Sequence, residues 1–171
     1  MKHLYTQFAL PTDPDLDGFL SGVDEVDHYF RSRAWFDSKK EIASPPTYQF
    51  RTEEDGYVVG YASVGFRNLP HPSDEAAERA RYLVIYVVGV HLRFRGVRNP
   101  SRPSDTYAAS IFDELEELAR QRSDCVGLSL WVRTDNLRAI AFYRKLGFAA
   151  DPAGPVHRDG GSPHLTMRKV W

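Results

Sequence analysis

The sequence predicts an α/β fold, a single mixed β-sheet with helices on both faces, and three observations predict it. The run YLVIYVVGV (82–90) is apolar throughout and bounded by polar segments, as a central strand covered on both faces should be. The segment TYAASIFDELEELARQ (106–121) sets Ala108, Ile111, Phe112, Leu115, Leu118 and Ala119 on one helical stripe, with Asp113, Glu114, Glu116 and Glu117 opposite. From there strand and helix patterns alternate to the end of the chain.

Taken in order, Leu4 to Leu10 is a short extended segment, and TDPDLDGF (12–19) supplies caps for a helical stretch. From Asp24 onward Val26, Tyr29, Phe30, Arg33 and Ala34 recur at helical spacing, predicting a helix that ends before SPP (44–46). TYQFRT (47–52) and YVVGYASVGF (57–66) read as a hairpin, with Gly56 supplying the positive backbone angle of its EEDG turn. NLPHPSDEAAERARY (68–82) is polar and proline-broken at its start, a surface excursion. Gly89 is a candidate bulge near the end of the central strand. VGLSLWV (126–132) is a further strand. TDN (134–136) then caps the helix LRAIAFYRKL (137–146), which Gly147 stops in the left-handed conformation. HLTMRKVW (164–171) closes the order β-α-α-β-β-β-α-β-α-β(-β).

At 171 residues the chain suits one domain spanning 1–171. With 42% hydrophobic and 26% charged residues it has the composition of a soluble globular protein. A net charge of −1 advertises neither nucleic acid nor membrane. The apolar run at 83–90 falls short of the about 20 residues a membrane span needs. Cys125 stands alone, which excludes an intrachain disulfide and fits a reducing compartment. The first residues lack the apolar core of a signal peptide, so the expected location is cytoplasmic. His3, His28, His71, His91, His157 and His164 are scattered, and no metal site is expected.

Two stretches carry chemistry. VHLRFRGVRNPSRPSD (90–105) joins the central strand to a helix, and a helix N-terminus with a glycine turn before it favours an anion. Gly96 is its one glycine, and Pro100 and Pro103 each delete a donor, while Arg93, Arg95, Arg98 and Arg102 supply guanidinium groups suited to phosphate. Ser104 or Asp105 would cap the helix. The competing reading is a solvated basic loop with no ligand. In RTDNLRAIAFYRKLGF (133–148), Asn136, Ala139 and Tyr143 fall at i, i+3 and i+7, a stripe apart from Leu137, Ile140 and Ala141. Here the competing reading is an ordinary amphipathic tyrosine.

Together these stretches resemble the GNAT superfamily of acyl-CoA-dependent N-acetyltransferases. VHLRFRGV is similar to the family's V-x-P-x-Y/F-R/Q-G motif. NLRAIAFYRKLGF resembles N-x-x-A-x-x-F-Y-x-x-x-G-F at Asn136, Ala139, Phe142, Tyr143, Gly147 and Phe148. The resemblance covers about Leu4 to Trp171. It implies splayed central strands and acetyl-CoA as acyl donor. Backbone groups of Val88 and Val90 would bond the pantetheine, and the N–H groups of Arg95, Gly96, Val97 and Arg98 would hold the pyrophosphate. Asn136 would lie near the pantetheine and Tyr143 beside the sulfur. The chain departs from the family's R/Q-x-x-G-x-G/A pattern after Gly96 and carries extra residues, NPSRPSD (99–105). Either a remodelled loop uses Arg98 and Arg102 instead of glycine N–H donors, or the site is closed.

DGFLSGVDEVDHYFRSRA (17–34) is similar to a segment of toxin-type GNATs, which acetylate aminoacyl-tRNA and pair with an antitoxin; the matches are Phe19, Ser21, Gly22, Asp27, Tyr29 and Ala34. Nucleic acid enters as a partner only under that reading. The leading expectation is transfer to a small-molecule or macromolecular amine, with a silent GNAT-fold binding module as the alternative; the resemblance also allows a homodimer. In the expected reaction Tyr143 is the acid for the departing thiolate, and an N–H near Val90 stabilises the oxyanion. His91 and Tyr86 are the local titratable groups for the base, with a water chain as the other route. Cys125 reads as packing rather than nucleophile. The acceptor region is read at AADPAGPVHRDGGSPH (149–164), a mobile loop lined by Asp151, His157, Arg158 and Asp159.

Overall fold

The computed structural model describes residues 4–70, 79–157 and 161–171, with nothing assigned to the side chains of residues 103 and 104. His3, His71, Arg158, Asp159 and most of the excursion at 68–82 therefore lie outside the described residues. The elements are β1 (Tyr5–Phe8), α1 (Asp24–Arg31), β2 (Phe36–Asp37), β3 (Ile42–Ala43), β4 (Thr47–Arg51), β5 (Val58–Leu69) and β6 (Ala80–Val90), followed by β7 (Arg98–Asn99), β8 (Arg102–Thr106), α2 (Tyr107–Arg120), β9 (Cys125–Arg133), α3 (Leu137–Lys145), β10 (Ala149–Ala150) and β11 (His164–Val170). Seven strands form one mixed sheet in the order β1-β4-β5-β6-β9-β11-β10, so the apolar run is its central strand, as expected. Tyr82, Leu83, Val84 and Ile85 are buried in succession along it.

By internal packing the chain divides into two compact units, Met1–Val64 with Val87–Leu115, and Gly65–Tyr86 with Glu116–Trp171. In the first, the hairpin forms as read: β4 pairs antiparallel with β5, and Gly56 turns between them at φ +68. Phe19, Phe30, Trp35 and Tyr61 make an aromatic core, with Phe19 edge-on to Tyr61 at 5.0 Å. Helices lie on both faces of β5. Phe30 of α1 meets the Tyr61 ring at 5.4 Å, while a Cβ built on neighbouring Gly60 would lie 2.9 Å from Ile111 Cδ1 of α2. Gly89 serves close packing: a Cβ there would fall 2.7 Å from Val26 Cγ1 and 3.0 Å from the Phe19 ring.

Three expectations about this unit are corrected. TDPDLDGF forms a single 3-10 turn, Pro14–Leu16, which Asp13 caps, instead of an α-helix. α1 stops at Arg31 instead of running towards residue 44, because Arg33 takes a left-handed φ of +55. That conformation is held by its guanidinium, which donates to Pro11 O at 3.0 Å and pairs with Asp17 at 2.7 Å. Glu114 belongs to the buried side of α2, 8% exposed, and accepts from Thr6 Oγ1 at 3.1 Å.

In the second unit β6 runs parallel to β9 from Arg81↔Cys125 to Ile85↔Leu130, and β9 runs antiparallel to β11 from Gly127↔Val170 to Arg133↔His164. Cys125 is buried at the start of β9, as its packing role requires. One face of β11 takes Met167, fully buried, and Lys169, whose Nζ bonds Glu116 of α2 at 2.6 Å. α3 stops as read, with Gly147 at φ +97. The apolar stripe read on α3 is corrected: Ile140 alone of the three is buried, with Leu137 73% exposed and Ala141 exposed.

Candidate functional site

The arginine loop belongs wholly to the first unit, and its backbone is largely bonded within itself. His91 starts a 3-10 turn at Leu92–Phe94, its Nδ1 accepting from Arg93 N at 3.1 Å. That bond occupies the Nδ1 lone pair, so His91 serves here as the cap of the turn. Arg95 N donates to Leu92 O and Val97 N to Phe94 O, leaving those two expected phosphate donors engaged in the turn. Gly96 follows at φ +71, with open space where a Cβ would stand.

The extra residues then fold. Arg98–Asn99 pairs with Arg102–Thr106 as an antiparallel hairpin in place of a plain loop. Asn99 is buried and donates to Ser110 Oγ at 3.0 Å, and its Oδ1 accepts from Ser101 N at 3.0 Å, which stitches the hairpin to α2. The cap of α2 is Thr106, whose Oγ1 accepts from Ala109 N at 3.2 Å. It replaces the expected Asp105, which turns to Arg102 at 2.6 Å instead. The Ser104 side chain lies outside the described residues.

The arginines are occupied too. Arg102 is shared between Asp105 and Asp113. Arg95 Nη2 donates to Ser21 O at 2.7 Å, and Arg93 lies over the Tyr57 ring at 4.1 Å. The N-terminal motif explains the seat that Arg95 grips. Ser21 and Asp27 are both buried, and Asp27 Oδ1 accepts from Ser21 N at 2.7 Å and Ser21 Oγ at 2.6 Å. Gly22 between them takes φ +87, and Leu92 N donates to Leu20 O at 2.9 Å. Val88 and Val90, whose backbone groups were read as pantetheine partners, are half-buried at the end of β6.

The second constellation sits in the second unit. Asn136 caps α3, its side chain accepting from Ala139 N at 3.1 Å, so the spacing read as a ligand stripe is also a capping motif. Tyr143 packs at 5.8 Å from the Phe148 ring and 5.7 Å from Phe142. Burial pushes its phenol up to about 12. Tyr86 leans on Trp131, ring centres 6.3 Å apart. The region at 149–164 is tied at both ends: Asp151 N donates to Thr166 O at 2.8 Å, and Val156 pairs with His164 through bonds of 2.7 and 2.9 Å. Asp151 also accepts from Ala153 N at 3.0 Å, and His157 is exposed.

The sequence reading passed over Arg168. It is 8% exposed on β11, its Nη1 donating to Pro70 O at 2.6 Å and its guanidinium 4.8 Å from the centre of the Tyr82 ring. The available signal was an arginine in phase with His164 and Thr166 on an interior strand, where an unpaired charge is rarely buried. Among the described residues no group of three or more His, Cys, Asp or Glu could hold a metal, and no helix is long and apolar enough to cross a membrane.

Solved structures with the same fold include one described as a bacterial toxin, 15% identical with a TM-score of 0.65, covering 98% of this chain and 90% of its own. AtaTR bound with acetyl-CoA is 16% identical with a TM-score of 0.58, covering 98% and 95%. The NatB acetyltransferase complex bound to CoA and MES is 21% identical with a TM-score of 0.53, covering 72% of each chain. No curated protein matches the chain. The acetyltransferase (GNAT) family pattern matches residues 14–148, most of the chain and both of its constellations. The chain belongs to the GNAT acetyltransferase family.

Proposed function

We propose that this protein transfers an acetyl group from acetyl-CoA to a primary amine by direct attack. The observation that carries the reading is the desolvated Tyr143 phenol on a helix capped by Asn136 and ended by Gly147, in a chain of this family. The neutral amine forms a bond to the thioester carbonyl carbon, and the carbon–sulfur bond breaks with its electron pair leaving on sulfur. The proton lost by the amine goes to that sulfur, directly or through water.

Tyr143 narrows to one part of this. A phenol near 12 stays protonated across the neutral range. Handing its proton fully to a thiolate, whose acid ionises near 8.5, is unfavourable by roughly a thousandfold. It acts as a hydrogen-bond donor to the developing sulfur charge. A backbone N–H near Val90 serves the carbonyl oxygen, the backbone of Val88 and Val90 the pantetheine amides, and Gly96 with Arg98 the pyrophosphate. With the His91 Nδ1 occupied, a water chain removes the amine proton.

The internal bonds of the loop favour a second reading, a GNAT-fold binding module without transfer. Calorimetric titration with acetyl-CoA, with dephospho-CoA in parallel, separates the two. Micromolar stoichiometric binding supports transfer, and no binding at high micromolar ligand leaves the module. Tyr143→Phe should then slow transfer by roughly tenfold or more with acetyl-CoA affinity held within about twofold. Unchanged turnover would remove Tyr143 from the mechanism. The toxin-type reading rests on the Ser21–Asp27 segment and on the fold of a bacterial toxin, and is tested by acetylation of aminoacyl-tRNA in the same assay.

A further inference from the structure

We propose that Arg168 and Tyr82 form an anion-recognition subsite that takes a carboxylate, so that the acceptor amine is a free amino acid or a similar amino-carboxylate. The acceptor assignment rests on the transfer reading above; the subsite itself does not.

The starting point is a buried charge with no counter-charge among the described residues. Arg168 sits on an interior strand, and among the described residues it makes no ion pair. Its Nη1 is satisfied by a neutral carbonyl, Pro70 O, while Nε is buried with no hydrogen-bond partner. Tyr82, fully buried beneath the guanidinium, also has its hydroxyl buried and unpartnered. A buried cation is strongly disfavoured unless an anion meets it, and an orphan donor beside it adds to that cost. Two orphan donors on side chains that touch, the guanidinium over the ring, point to a missing acceptor.

The strand register explains how they meet. Tyr82 pairs with Gly127 on β9, and Arg168 pairs with Ser129, so the two side chains lie diagonally across that strand. Gly127 has no side chain to separate them. Ser129 between them is 2% exposed and adds a hydroxyl on the same face. With Nη1 engaged, the Nε edge is the part of the guanidinium left to meet an anion, and the parallel donors of such an edge match the two oxygens of a carboxylate. The positive potential there rejects a second ammonium group and orients the amine end of an amino-carboxylate away from the guanidinium. An aminoacyl ester, having no free carboxylate, does not fit.

The test uses L-alanine, L-alaninamide and O-phosphoethanolamine as probes of the full chain without acetyl-CoA, read by thermal shift and calorimetry. Alanine should bind and raise the melting temperature, and alaninamide should do neither. Tyr82→Phe, which keeps the ring, should weaken alanine binding by roughly tenfold, and Arg168→Met by roughly a hundredfold. Arg168→Lys should stay folded and recover only part of the affinity. Alanine and alaninamide behaving alike, or alanine affinity surviving Arg168→Met or Tyr82→Phe, overturns the subsite. Binding of the phosphate probe alone overturns the carboxylate assignment. Acetyl-CoA binding is measured separately: its failure would sink the transfer reading while leaving the alanine titration to judge the subsite.

Discussion

The loop at 91–106 and the face around Arg168 treat the same side chain in opposite ways. In the loop arginine is abundant and engaged: Arg93 lies on a ring, Arg95 donates to a carbonyl, and Arg102 is shared by two carboxylates. On β11 Arg168 also donates to a carbonyl and lies over a ring, but it is buried and its Nε has no hydrogen-bond partner among the described residues. The density of positive charge in a sequence therefore does not say which guanidinium keeps a donor unmet. What matters is whether the fold has already supplied the partner. Arginines whose contacts are complete act as struts, and on the proposal above the one buried donor left unmet, Arg168 Nε, is where an anion would bind.

The sharpest way to break this comparison is at the seat that Arg95 grips. Asp27→Ala leaves two buried Ser21 donors without an acceptor, and should cost about 3 kcal/mol in chemical denaturation. A loss below about 1 kcal/mol would mean that the N-terminal motif does not hold the loop. The second prediction contrasts Arg168 with Lys169, its neighbour of opposite phase. Burial raises the Glu116 pKa, but its hydrogen bonds to Lys169 and Arg120 outweigh that and hold the carboxyl below its ordinary 4.5. A carboxyl depressed on folding stabilises fully above the unfolded pKa and loses that contribution as pH falls through the folded one. Glu116→Gln should then cost about 1 kcal/mol at pH 7 and progressively less below about pH 4.5, read from urea melts across pH. A pH-independent difference would assign Glu116 to packing alone.

The smallest effect is expected at the strut itself. Replacing Asp105 and Asp113 together with asparagine should change stability by under about 1 kcal/mol, since both carboxylates are partly exposed. It should raise acetyl-CoA affinity by roughly twofold to threefold if the two carboxylates compete with phosphate for Arg102. A fall in affinity would show that the paired arginine is the form the ligand needs.

Much of the sheet was legible because local pattern and tertiary environment agree there. The continuous apolar run became the central strand, Gly56 and Gly147 took the positive angles their turns require, and α2 kept its bounds to within a residue or two. The misreadings lie where a distant partner decides. No local rule ends α1 at Arg31, because what ends it is Arg33 reaching Pro11 and Asp17. Glu114 looked solvated until Thr6 came to it across the chain. The candidate site divides in the same way. The motif around Tyr143 was readable from spacing, whereas the hairpin of Arg98 to Thr106 and the unmet Nε of Arg168 depend on contacts that spacing does not carry.

The paired glycines of the first unit have a consequence for anyone who screens this protein. A Cβ at Gly60 would stand 2.3 Å from Gly89 O, and one at Gly89 would meet Val26 and Phe19. A saturation library selected only for soluble expression should therefore return glycine at both positions, whatever chemistry is assayed. Intolerance there would mimic the signature of a catalytic backbone, yet it reports how closely the chain is stacked.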